Sequence, residues 1–177
     1  MKKIAMLVSL VALTSVANAQ DFKDGFSVFG GIVSGKTAGE RGTGYTVGVD
    51  YTKYLDKGFF VQPSLQYLDT KSDSNDKHTI ALLNAGYSFK LDNGMVISPK
   101  AGVGYRHTKY NSETTLGEMG VPLWTVKESG SDHGVAYNVG LDLAVTKNVN
   151  VGLGYMRMKG DNGNHANYTT LSLGYKF

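Results

Sequence analysis

No cysteine occurs in the 177 residues, which excludes a disulfide framework, a thiolate metal site and a thiol nucleophile. Beyond Leu13 the chain also lacks any apolar run near the roughly 20 residues a membrane-spanning helix needs. Charge of one sign is missing as well. Eighteen Lys and Arg stand against 15 Asp and Glu, so bulk charge gives no footprint for nucleic acid. Proline is scarce, and two of the three, Pro63 and Pro99, interrupt segments that otherwise alternate. What the chain has in quantity is glycine, 23 residues, together with 11 Tyr and 7 Phe. A membrane protein of that composition has to cross with strands, because only a closed sheet satisfies the backbone with such weakly hydrophobic segments.

The N-terminus reads as a leader. Met1-Lys2-Lys3 precedes the apolar run Ile4 to Leu13, and Ala17-Asn18-Ala19 has the A-x-A form of a signal-peptidase site. Residues 1–19 are expected to be a cleaved signal peptide and 20–177 a single domain. Loss of Lys2 and Lys3 takes the formal charge from +3 to +1.

The clearest pattern lies at the other end. From Asn167 to Phe177, Thr169, Leu171, Leu173, Tyr175 and Phe177 alternate with Thr170, Ser172, Gly174 and Lys176, the period of a strand with one apolar face. Seven earlier stretches also read as strands, the first with poor contrast, carrying Phe26, Val28 and Ile32 on one face and Phe29 and Val33 on the other. They are Gly25–Gly35, Gly44–Tyr54, Phe59–Leu68, His78–Leu91, Met95–Lys109, Gly134–Thr146 and a strand from Val149 to Lys159. Leu55 to Gly58, Asp92-Asn93-Gly94 and Lys147-Asn148 form tight turns, with Asn-Gly suited to a type I′ hairpin. Longer loops surround Lys36, Ser72, Leu116 and Asn162, the longest running from Tyr110 to His133. Pro63 and Pro99 are read as bulges, since each forfeits a ladder hydrogen bond.

Alternation alone leaves two barrels open, a soluble one with an apolar core and a membrane one turned inside out. The polar face decides the facing. It is built from Gly48, Ser64, Gly86, Gly102, Gly104, Gly140, Gly152, Gly154, Ser172 and Gly174, and small residues relieve crowding inside an eight-stranded barrel. The apolar face therefore meets lipid. Its aromatics fall into two groups, Tyr51, Phe59, Tyr87, Phe89, Tyr175 and Phe177 near the tight turns, and Tyr45, Tyr67 and Tyr105 towards the loops, as interfacial girdles require.

With the closing Tyr175-Lys176-Phe177 and eight alternating strands, the chain resembles the small outer-membrane β-barrels of Gram-negative bacteria, most strongly over Val135 to Phe177. The resemblance is to stand-alone barrels of the outer membrane protein X and Ail adhesin type and to the barrel domain of outer membrane protein A. It implies an all-β fold, an eight-stranded antiparallel up-and-down transmembrane β-barrel integral to the outer membrane, with tight turns in the periplasm and loops outside the cell. Outer-membrane lipid, lipopolysaccharide and the barrel-assembly machinery, the last through the C-terminal strand ending in Phe177, are the partners it implies. No cofactor is expected.

Four sets of residues are candidates for function. Inward parity collects Asp50, Lys100, Arg106, Asp142 and Lys176, read either as a gate or as a plug of paired charges, with Lys100 and Asp142 the expected pair. Lys109, Arg157 and Lys159 share outward parity at the extracellular ends, read either as contacts for lipid A phosphates or as ordinary strand-end cations reaching for water. Leu116, Met119, Val121, Leu123 and Trp124 place apolar side chains in the longest loop, as a surface for a host or cell-surface partner or as the packing of a protruding hairpin. His78, His107, His133 and His165 are all placed at extracellular strand ends or loops without ligand spacing, so no metal site is expected. Ser131-Asp132-His133 contains triad residue types, but neighbours on an extended segment point apart. His165-Ala166-Asn167 lacks the serine of the His-x-Ser-Asn motif of lipid A deacylase barrels. The reading is a non-enzyme acting through its extracellular loops in surface contact, adhesion and envelope integrity, with a narrow porin-like channel as the alternative.

Overall fold

The computed structural model describes residues 22–177 except 38–39, 72–74, 93, 119–120 and 161–164. The leader at residues 1–19 lies outside the described residues, as do Gly39, Ser72, Asn93, Met119 and Asn162 of the expected turns and loops. The strands are β1 (Gly25–Thr37), β2 (Glu40–Asp56), β3 (Phe59–Lys71), β4 (Asn75–Tyr87), β5 (Val96–Glu118), β6 (Val121–Ala144), β7 (Val149–Gly160) and β8 (His165–Lys176). After Ser88, β4 resumes as the two-residue piece Phe89–Lys90. Every strand runs antiparallel to its sequence neighbours, and β1 pairs with β8 from Ser27↔Lys176 to Thr37↔Ala166. The sheet is thus a closed barrel of eight strands with no edge along its spanning part.

Local chemistry sets the tight turns. Lys57 (φ 42°) and Gly58 (φ 99°) carry the chain from β2 to β3 through left-handed backbone, and the register shift of that hairpin falls beside them, between Tyr54 and Asp56. The hydroxyl oxygen of Thr146 accepts from the backbone N–H groups of Asn148 (3.3 Å) and Val149 (3.0 Å), holding the turn into β7.

The two prolines correct an expectation. Neither makes a bulge: the β2–β3 register is the same at Asp50↔Ser64 and Lys53↔Val61, either side of Pro63. Pro99 pairs with Leu141 in an unshifted ladder. The missing N–H interrupts pairing on one side only, between those two β2–β3 pairs and, for Pro99, between Gly86↔Lys100 and Phe89↔Ile97. Beside the second gap, Ser88 turns its N–H to the Gly58 carbonyl at 2.8 Å.

Facing follows the alternation. Val47 (48%), Leu65 (52%), Val103 (51%) and Leu153 (53%) are exposed on the outside, whereas Asp50, Gln62 and Arg106 are buried inside. A continuous apolar belt of this kind needs lipid around it. Rings pack along its lower rim, with Phe26 and Tyr51 at 4.6 Å, Phe59 and Tyr87 at 4.7 Å, and Tyr175 and Phe177 at 5.1 Å between centroids. The inward glycines make room. At Gly48 a Cβ would strike the Phe29 ring and lie 2.7 Å from the Leu65 carbonyl oxygen.

The lumen is not polar throughout. Its half towards the long hairpin is filled by a buried apolar cluster that includes Val33, Leu68, Ile80, Leu82, Met156, Met158 and Tyr168. Above it, the expected loop from Tyr110 to His133 is largely strand. β5 and β6 stay paired from Tyr110↔Gly130 to Glu118↔Val121, with a shift at Leu116/Gly117. Pairing of β5 with β4 ends at Lys77↔Lys109, and that of β6 with β7 at Gly134↔Gly160. The hairpin therefore rises alone, about 30 Å along the strand direction at about 3.4 Å per residue.

Candidate functional site

From the mouth at the tight-turn end upward, the lumen is built in layers. Lys176 reaches the mouth, where its ammonium donates to the Lys23 carbonyl (2.6 Å) and sits 5.4 Å from the Tyr54 ring centroid. The segment before β1 is tied there too. Phe22 stacks on Tyr54 at 5.2 Å, and Asp24 pairs with Lys53 while accepting the Tyr54 N–H at 2.7 Å. The hydrogen bond from the Lys53 ammonium, helped by that backbone N–H, holds the Asp24 carboxyl below the usual carboxylate range.

The middle layer is a polar network. The Lys100 ammonium lies 2.5 Å from Asp142 Oδ2 and donates to Gln62 Oε1 at 3.0 Å. The Gln62 amide donates in turn to Asp50 Oδ1 (3.1 Å) and Thr52 Oγ1 (3.2 Å). Asn138 donates to Asn84 Oδ1 at 2.9 Å. Sharing one ammonium between a carboxylate and an amide that itself serves a second carboxylate is how buried charge is made tolerable. Around these groups lies a cavity of about 60 Å³ lined by Asp50, Gln62, Lys100, Asn138 and Asp142. Lys176 belongs to the mouth and not to this network, and Arg106 lies elsewhere again.

A third group of polar side chains adjoins the apolar cluster. Arg106 pairs with Asp132 and donates to Thr108 Oγ1 at 2.5 Å. His78, placed by the sequence among exposed strand ends, instead points inward and is 1% exposed. Its ring nitrogens meet Thr108 Oγ1 (2.7 Å) and the Tyr168 hydroxyl (3.2 Å). Inward parity was the available signal for His78, as it is for Ile80 and Leu82 on the same strand. The sequence reading also missed Asp132 as the partner of Arg106, having weighed it only for catalysis. Asp132 faces in and His133 faces out, so Ser131, Asp132 and His133 assemble no relay.

On the outer wall above the girdle, Lys109, Arg157 and Lys159 are exposed. Arg157 stands beside Tyr137 and Asn167, and Lys159 beside Val135 and His165. Lys109 is opposite a further exposed cation, Lys77, at the start of the part of β4 paired with β5. His107 and His133 also face each other across β5 and β6. In the hairpin, Leu116 is opposite Trp124, with Val121 and Leu123 on the returning strand.

Among curated proteins none matches the chain. Solved structures do. Neisserial surface protein A is similar with a TM-score of 0.59 at 12% identity, covering 87% of this chain and 97% of its own. The N-terminal β-barrel domain of Pseudomonas aeruginosa OprF gives 0.56 at 16% identity, covering 88% and 100%. The attachment invasion locus protein Ail of Yersinia pestis gives 0.52 at 19% identity, covering 87% and 97%, and it has also been solved with the heparin analogue sucrose octasulfate. At such identities these likenesses speak for the fold. The sequence itself, over residues 4–177, matches the family described as outer membrane protein beta-barrel domain, and the chain belongs to that family as an integral protein of the Gram-negative outer membrane.

Proposed function

We propose that this barrel is a surface protein rather than a conduit, acting outside the cell in surface contact or adhesion and in envelope integrity, without catalytic activity. The observation that carries the reading is the filled lumen: apolar side chains from β1, β3, β4, β6, β7 and β8 meet with almost no exposure above the polar network. These side chains stand beside the buried Thr46 and Gln66, and a layer packed this tightly constricts the polar route that conduction needs. The narrow porin-like channel is the weaker alternative. What the molecule offers a partner is the β5–β6 hairpin, whose two edges above Lys109 and Gly134 have, among the described residues, no strand of the barrel beside them. Strand addition is a common mode of recognition at such edges.

The cations Lys109, Arg157 and Lys159, joined by Lys77, serve the second role by holding lipid A phosphates at the level where the outer leaflet carries them. A polyanion is also what the solved Ail complex holds. Assembly is expected to proceed through recognition of the C-terminal strand ending in Phe177. The test replaces Glu113–Lys127 by a two-residue turn. Binding of target cells, or of an extracellular partner, should vanish while the barrel still shows its unheated gel mobility. Unchanged cell binding by the shortened protein would remove the hairpin from the proposal.

A further inference from the structure

We infer that His107 and His133 form a binding site for a divalent zinc-class cation on the outer wall of the barrel. The two residues are directly opposite in the β5–β6 ladder, and their rings lie 4.7 Å apart at 35°. The imidazoles converge through the same atom, with Nδ1 of His107 3.3 Å from Nδ1 of His133. For metal–nitrogen bonds of about 2.05 Å, that separation corresponds to a ligand–metal–ligand angle of about 107°, close to tetrahedral.

The hydrogen bonding of the pair is unsatisfactory in a way a cation relieves. The Tyr105 hydroxyl also approaches His133 Nδ1, at 2.6 Å. One ring nitrogen has either a single lone pair or a single N–H to offer, so it cannot serve both neighbours well. A cation accepts both nitrogen lone pairs at once. The phenol is too close to His133 Nδ1 to be a third ligand in tetrahedral geometry, where neighbouring ligands stand about 3.3 Å apart. Tyr105 therefore competes for the nitrogen and must let go when metal binds. The two remaining positions open outward, to water or to an anionic oxygen. Lys109 shares this face and Lys77 stands opposite it, and their charge weakens the site without blocking it. A spacing of 26 residues between the histidines hides the pair from any motif search; only the strand register makes it.

The experiment uses the tag-free barrel in detergent micelles, titrated with Zn²⁺ alone and followed by calorimetry and by ¹⁵N chemical shifts of the imidazoles. One saturable Zn²⁺ per barrel is expected, with Nδ1 of both His107 and His133 shifting. His107→Ala or His133→Ala should each weaken binding by at least the roughly 10–100-fold that losing even an outer-shell partner costs. His165→Ala should leave it intact, and Tyr105→Phe should leave it intact or tighten it. Both histidines lie on the outer wall, and unheated gel mobility checks that the variants fold. The wild-type ¹⁵N shifts test the site without any variant. Absence of saturable binding, binding that survives the double alanine variant, or shifts confined to other histidines would overturn the proposal.

Discussion

At the scale of single residues, the charges that matter are those with little water to fall back on. The side chains of Lys100 and Asp142 are 16% and 18% exposed, and removing one leaves the other buried without its counter-ion. Each single alanine substitution is expected to destabilise by about 3–5 kcal/mol. The double substitution should do less harm than the sum, because it removes the pair together. Equilibrium unfolding in urea across the four proteins measures this, and additive effects would mean that the ion pair contributes nothing as a pair. Met158, fully buried in the upper lumen, gives the apolar counterpart. Met158→Ala opens a cavity between strands that cannot collapse independently, and should lower stability by about 2–5 kcal/mol.

At the scale of one strand, parity assigns each side chain a solvent. Leu153 stands on β7 between Leu141 and Leu171 of its neighbours, in the middle of the outward apolar belt. Leu153→Arg should therefore destabilise the barrel in bilayers by about 2–4 kcal/mol. Tyr155→Arg, one outward position nearer the rim, should be milder. An equal penalty at both positions would show that the belt does not sit as described. The strand ends obey different physics. Replacing Lys109, Arg157 and Lys159 together by glutamine should weaken lipopolysaccharide binding at low salt, where screening is least, without altering folding in neutral detergent. A triple variant that binds as wild type does would return these side chains to the status of solvated strand ends.

For the whole molecule the decisive property is closure. A sheet whose first and last strands pair has no edge from which to fray, so the protein should run at a different position on gels when unheated. The filled upper lumen adds a second expectation, that planar-bilayer recordings of the pure protein show no stepwise conductance. Regular single-channel openings in the wild-type barrel would favour the porin-like alternative and count against the apolar layer as a seal.

The chain by itself determined the eight strands, the facing of all but the first and the positions of the tight turns, because a period of two and the residues of a turn are local properties that each segment carries alone; β1, with apolar side chains on both faces, takes its facing from the strands beside it. The similar distances of Lys100 and Asp142 from their tight turns were legible for the same reason. It did not reveal where Pro63 and Pro99 would leave their gaps, since a ladder can lose one bond without shifting register. It left open whether the longest connection is a loop or a protruding paired hairpin, for its alternation is broken by Gly117 and Pro122; the structure shows the hairpin. Which residues meet was decided by the tertiary structure. Arg106 finds Asp132, His78 finds Tyr168, and His107 finds His133 only once hairpin register and the stagger of barrel closure are fixed together. The apolar layer arises the same way. Each strand contributes one or two inward residues that look incidental in its own sequence, and they become a core only when the cylinder brings six strands to one level.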